Sequence, residues 1–228
     1  ILTTHVGSLP RSKELSELLF AKDKGEEYSK EKFDEVLSLN VDQIVKRQLE
    51  VGIDFISDGE MSKISYATYI KDRIDGFSGE SERRAPADLD DFPEYKEKIA
   101  KSGGTPTYSR PCCTHELKIK DEISLLNDIN NFNTSLKKFN HTKAFMNAAS
   151  PGVINVFMPN KYYDSDDDYL NKLSSIMALE YEKITAANIQ VQLDCPDLAL
   201  ARHMNFKNLT EDEFLKRAEI QIECLNTA

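Results

Sequence analysis

Ile1-Leu2-Thr3-Thr4-His5-Val6-Gly7-Ser8-Leu9-Pro10 decides how the rest of the chain is read. Ile1 to Val6 is short and β-prone, and Gly7-Ser8-Leu9-Pro10 breaks it, which predicts a strand and its exit loop. An open nucleotide-binding sheet carries a glycine-rich phosphate turn after its first strand, and this exit is not one. A parallel barrel is therefore favoured, provided that strands and helices alternate downstream.

They do. From about Lys30 to Val51, Phe33, Val36, Leu37, Val41, Ile44, Val45 and Leu49 recur at helical steps, and Gly52 stops the helix. Ile53 to Ser57 follows as a second strand, ending in Asp58-Gly59-Glu60. Ser78 to Thr105 is charged, holds Pro86, Pro93 and Gly103-Gly104, and has a weak helical pattern near Tyr95 to Ile99. Residues 78–120 are expected to form an excursion or hairpin over the barrel mouth, with Thr107 to Ile119 a bent strand or hairpin because Pro111 interrupts it. A helix is expected around Ile123 to Phe139, then a fourth strand over Ala144 to Ala148, closing at Ser150-Pro151-Gly152. Asp164 to Asp168 places negative charge at the start of a long helix whose buried stripe is Leu170, Leu173, Met177, Tyr181 and Ile184. Ile189 to Asp194 reads as a fifth strand. Thr210 to Glu213 has capping-box spacing before a last helix carrying Phe214, Leu215, Ala218, Ile222 and Leu225.

The expected fold is α/β, a (β/α)8 TIM barrel of which about the first five βα units lie in residues 1–228, read as one domain. Strand C-terminal ends converge on one mouth in such a barrel, so Ser8, Asp58, Glu60, Ser150 and Asp194 are expected to face each other. Five strands cannot close eight positions, so the barrel is expected to be incomplete at its C-terminal side.

Composition narrows the partners. The 228 residues carry a formal charge of −10, which argues against nucleic acid or an anionic membrane. Arg83 and Arg84 form a local basic spot, read as a solvated loop. No apolar run approaches a membrane span of about 18 residues. Cys112, Cys113, Cys195 and Cys224 lack disulfide-framework spacing, which fits a cytoplasmic protein. Cys112-Cys113 with His115 suggests zinc chemistry, but adjacent strand residues point to opposite faces, so at most one cysteine joins His115.

Three clusters carry the chemistry: Thr3 to Arg11, Gly52 to Glu60, and Gln192-Leu193-Asp194-Cys195-Pro196-Asp197-Leu198-Ala199. Together they resemble the cobalamin-independent methionine synthase family, in particular its short single-barrel members. That resemblance implies a methyltransferase in which zinc binds a small homocysteine-type thiol as thiolate and a methyl-folate supplies the methyl group. It implies that Val6, Gly7 and Ser8 hydrogen-bond an amino-acid carboxylate, and that Glu60 and Asp194 hold the substrate ammonium. His5, Cys112, Tyr163 and Cys195 are further candidates for lining the pocket; Tyr162-Tyr163 is similar to an aromatic feature of the short members.

The departures are specific. Cys195 stands where the family has a glutamate, the later folate-associated glutamate falls at Leu200, and the chain has no tryptophan to stack on a folate ring. No His-x-Cys motif occurs, so the zinc ligands are expected beyond Ala228. Other readings on the same barrel are a thiol alkyl transferase of the epoxide and coenzyme M type, a zinc-free lyase or decarboxylase, and a non-catalytic ligand-binding fragment. A homo-oligomer is compatible with each.

Overall fold

The computed structural model describes residues 1–82, 87–101 and 108–228. Arg83, Arg84, Pro86, Gly103, Gly104, Thr105 and Thr107 lie outside them.

Two helices follow the opening segment. The first, α1 (Lys13–Lys24), has no counterpart in the sequence reading although its caps are well formed: Ser12 accepts from Leu15 N, and Gly25 closes the end at φ 69°. It buries Leu15 and Leu19. The second, α2 (Lys30–Glu50), buries Phe33, Val36, Leu37, Val41 and Val45 on the expected stripe. Gly52 then turns the chain at φ 82°.

The parallel sheet comprises β1 (Ile56–Ser57), β4 (Ala144–Ala149) and β5 (Gln190–Asp194) in the order β1-β4-β5. All six residues of β4 are buried, as a central parallel strand requires. The opening segment joins β1 by one parallel bridge, Thr4 to Phe55, with Thr3 O accepting from Asp54 N and Phe55 N. It is thus a bridge and not the full strand expected from Ile1 to Val6. Helices α2 and α6 (Asp166–Ala186) lie against the sheet, α4 (Ile123–Lys138) packs on both of them, and α7 (Glu211–Thr227) packs on α6.

The extended stretch before Ile119 forms a hairpin strand, as its composition suggested, and stands outside the parallel series: β3 (Cys112–Ile119) pairs antiparallel with β2 (Ile74–Ser78), with a bulge between Asp75 and Phe77. Gly76 sits there at φ 111°, where an added Cβ would lie 2.8 Å from Leu117 Cδ2. Pro111 ends just before β3, so the ladder is spared its missing donor. Four parallel positions therefore exist among the described residues (Thr4, β1, β4, β5), not five. Between the hairpin strands, α3 (Pro93–Lys101) realises the weak helical pattern.

Capping follows sequence closely. Ser150 caps α5 (Pro151–Phe157), Ser165 caps α6, and Thr210 and Glu213 form both bonds of the expected box before α7. All five residues of the expected α6 stripe are buried. On α7, however, Leu215 and Ile222 face out at 52% and 41% exposure, while Gln221 and Cys224 are buried in their place.

Candidate functional site

Asp58 and Glu60 follow β1 directly, and Asp194 ends β5. Since β4 lies between these strands, the two ends sit on one rim two strand spacings apart, about 10 Å. Ala149 and Asp194 are register partners, and so are Asn147 and Gln192, which places Asn147, Gln192 and Asp194 on one face of the sheet.

The opening loop reaches this rim. Ser8 Oγ donates to Glu60 Oε2 at 2.5 Å, and Leu9 N donates to Gly59 O at 3.0 Å. Gly7 has φ 90° and Glu60 φ 56°, so both loops pass through the left-handed region, which a non-glycine residue enters at a cost of order 1–3 kcal/mol. Arg11 holds the turn together: its guanidinium donates to Glu60 O at 2.6 Å, Lys63 O at 2.8 Å and Met61 O at 3.3 Å. Burial lowers the Arg11 pKa, against the pull of Glu60 and Asp58.

Glu60 is buried, and among the described residues its Oε1 has no hydrogen-bond partner. A buried carboxylate oxygen left open in this way suits a cationic donor. Asn147 bridges onward. Its amide donates to Asp194 Oδ1 at 3.1 Å and Oδ2 at 3.2 Å, its backbone carbonyl accepts from the buried Lys63 ammonium, and its own Oδ1 has no partner among the described residues. Lys63 also lies 4.3 Å from the Tyr69 ring centroid. Tyr66 overlooks the rim: burial pushes its hydroxyl up to about 12, with Tyr108, Asp194 and Glu60 adding to the rise. Both acids thus act on a single phenol.

The remaining candidates are dispersed. Val6 is exposed. His5 is exposed and lines a groove with Ile44 and Arg47 of α2. Cys112 is buried beside Arg110 and Lys161. Tyr163 stacks on Tyr169 with centroids 5.7 Å apart, and its hydroxyl accepts from Leu117 N at 2.9 Å, so it pins the β2-β3 hairpin. Cys195 follows Asp194, and burial together with Asp197 and Asp194 raises its thiol pKa. Ser150 faces Asp197 at 2.7 Å and serves as the α5 cap.

Sequence reasoning missed Arg11, Lys63, Tyr66 and Asn147. Asn147 carried a signal, an amide inside the otherwise apolar Ala144–Ala149 run. Lys63, three residues past the Asp58-Gly59-Glu60 cluster, carried none, because only the tertiary turn brings it under β4.

The fold and rim define a class: an α/β protein with parallel strands whose polar residues collect at the strand C-terminal ends. Comparison with known proteins finds likeness to cobalamin-independent methionine synthases. Residues 1–85 match the family described as cobalamin-independent synthase, catalytic domain. A 5-methyltetrahydropteroyltriglutamate–homocysteine methyltransferase from Bifidobacterium longum is 33% identical over 75 residues, covering 33% of this chain and 10% of that protein. A methionine synthase from Sulfolobus acidocaldarius is 26% identical over 195 residues, covering 85% of this chain and 51% of that one. The matched regions thus span about half the length of the latter and a tenth of the former. Among solved structures, a B12-independent methionine synthase from Shewanella sp. W3-18-1, in complex with selenomethionine, superposes with a TM-score of 0.67 at 18% identity, over 99% of this chain and 57% of that chain. That likeness speaks to the fold.

Proposed function

We propose that the described sheet is a segment of a (β/α)8 barrel, and that its rim is the amino-acid-holding part of a methyltransferase acting on a small thiol of the homocysteine type. Glu60 and Asp194 take the substrate ammonium, while Ser8 and the Val6-Gly7 turn take its carboxylate. The observation that carries this reading is the orphaned Glu60 Oε1 beside the Ser8 bond, on the same rim as Asp194. The names of the relatives support the reaction class, and the four successive parallel positions support the barrel reading.

The residues at the rim bind and orient. Lys63 and Asn147 hold Asp194 in register with β4, Arg11 holds the Glu60 turn, and Ser8 fixes the Glu60 rotamer. A ligand clamped at both its ammonium and carboxylate presents its sulfur in one direction, which is what a transfer in line with an alkyl donor needs. The donor is an electrophilic methyl carrier; methyl-folate is the one the resemblance implies.

Zinc does not fit the described residues. No group of three or more His, Cys, Asp or Glu side chains converges among them, and burial holds Cys113 and Cys195 toward the protonated thiol. The four free cysteines fit a cytoplasmic protein, and no helix among the described residues is long and apolar enough to cross a membrane.

Titration calorimetry with L-homocysteine under reducing conditions tests the reading. Saturable one-site binding lost in Glu60→Gln supports it, and unaltered binding in that variant removes the rim from the function.

A further inference from the structure

We infer that Asn147 is the third acceptor of the ammonium site, and that its side-chain oxygen makes the site selective for a primary α-ammonium. This rests on the reading of Glu60 and Asp194 as the pair that holds the ammonium. It narrows the substrate to an amino acid whose nitrogen carries no alkyl group besides Cα.

Strand register is the first observation. Phe145 of β4 pairs with Ser57 of β1, so Asn147, two residues on, stands level with the Asp58-Gly59-Glu60 exit. On its other side Asn147 pairs with Gln192 of β5, two residues before Asp194. Lys63 ties the first two together: its backbone N–H donates to Glu60 O at 3.0 Å, and its ammonium donates to the Asn147 carbonyl. Glu60 and Asn147 thus lie within the span of one lysine. Asn147 itself is only 2% exposed, the one polar side chain of an otherwise apolar strand.

The orientation of the amide is the second observation. A carboxylate accepts and does not donate, so the atom that Asn147 turns to Asp194 is Nδ2, at 3.1 Å and 3.2 Å from its two oxygens. The oxygen of a planar amide diverges from its nitrogen, and with Nδ2 turned to β5 the Oδ1 is turned to the β1 side. There Glu60 Oε1 is buried, and neither oxygen has a partner among the described residues. Buried acceptors in this state call for a donor from outside. A primary ammonium brings three N–H groups, which Glu60, Asp194 and Asn147 match from β1, β5 and β4. The amide oxygen takes the third proton without adding a third negative charge. An N-methyl group in that place would leave Oδ1 buried against carbon.

Calorimetry with L-methionine, N-methyl-L-methionine and 4-(methylthio)butanoate tests this. The parent is expected to bind L-methionine about tenfold or more tightly than the N-methyl compound, because the site's buried acceptor is unmet by the latter. Asn147→Ala removes that acceptor and makes room for the methyl, so the preference should fall to about twofold or less. L-methionine should still outbind 4-(methylthio)butanoate in this variant, since Glu60 and Asp194 remain. Asn147→Ser, which withdraws the acceptor but keeps a polar side chain in β4, should behave alike, with far-ultraviolet dichroism showing that each variant is folded. An asparagine that only holds Asp194 in place would weaken L-methionine and its N-methyl derivative equally, so parallel or complete losses in the folded variants overturn the inference. A parent that binds those two compounds alike overturns it too, and leaves the ammonium site standing if 4-(methylthio)butanoate remains the weaker ligand. A parent that binds none of the three, or all three alike, removes the ammonium site and this inference with it.

Discussion

Ser8 Oγ and Glu60 Oε2 lie 2.5 Å apart although 52 residues separate them in sequence, and that bond fixes one oxygen of Glu60 while leaving the other open. Two loops that leave adjacent strand positions are thereby locked into one surface.

Ser8→Ala removes a donor from a buried carboxylate. The expected loss of stability is about 1–3 kcal/mol, read as a lower midpoint in urea with an unchanged slope. Homocysteine binding should weaken as well, since the Glu60 rotamer is no longer held. A variant with unchanged midpoint and affinity would show that the bond orders nothing.

Asp194 and Asp197 are three residues apart and should separate cleanly. Asp194 is half-buried at the rim, whereas Asp197 is buried, accepts from Ser150 Oγ at 2.7 Å and has its carboxyl raised by burial. Asp194→Asn is expected to lower ligand affinity with little thermal shift, and Asp197→Ala to lower stability by roughly 1–3 kcal/mol by taking the acceptor from the buried Ser150 hydroxyl proton. Parallel calorimetry and thermal melts check both; the reverse pattern would exchange their roles.

Gly152 is a close-approach position. An added Cβ would lie 2.0 Å from Asp197 Oδ2 and 3.1 Å from Gln221 Nε2, so Gly152→Ala must displace the Asp197 carboxylate from α5. Overpacking of this kind costs about 1–3 kcal/mol. A melting temperature equal to the parent's would mean that the carboxylate relocates freely.

Asp58 gives a pH signature. Burial raises its carboxyl above the ordinary 3.8, Lys63 and Arg11 oppose the rise, and Glu60 adds to it. A carboxyl raised on folding contributes stability that is full below 3.8 and is lost as pH climbs through the folded value. Asp58→Asn lacks that loss, so its melting temperature should gain on the parent's between pH 4 and pH 7. A difference that stays constant, or shifts toward the parent, would contradict the buried charge.

Much of this architecture was legible in sequence because it is local. The stripes of α2 and α6, the Thr210–Glu213 box and the strand-end acids follow from spacing alone. β2 was not legible: Ile74 to Ser78 contains Gly76, and it exists as a strand only because β3 returns beside it. The misread face of α7 has a related cause, since Gln221 and Cys224 are buried by α5 and α6 while Leu215 and Ile222 look outward. At the rim, Glu60 and Asp194 were visible as residues that end strands. Lys63 and Arg11 were not, because Arg11 bonds carbonyls of the Glu60 turn and Lys63 bonds the Asn147 carbonyl of β4, partners that only the fold supplies.

The shared ammonium site is tested most directly by comparing L-methionine with its deaminated analogue, 4-(methylthio)butanoate, in one calorimetric series. Methionine should bind at least tenfold more tightly, and Glu60→Gln and Asp194→Asn should each erase most of that preference, in line with the ~1.5–3 kcal/mol of a hydrogen bond to a charged group. Equal affinity for the two compounds, or a preference that survives both variants, would contradict it.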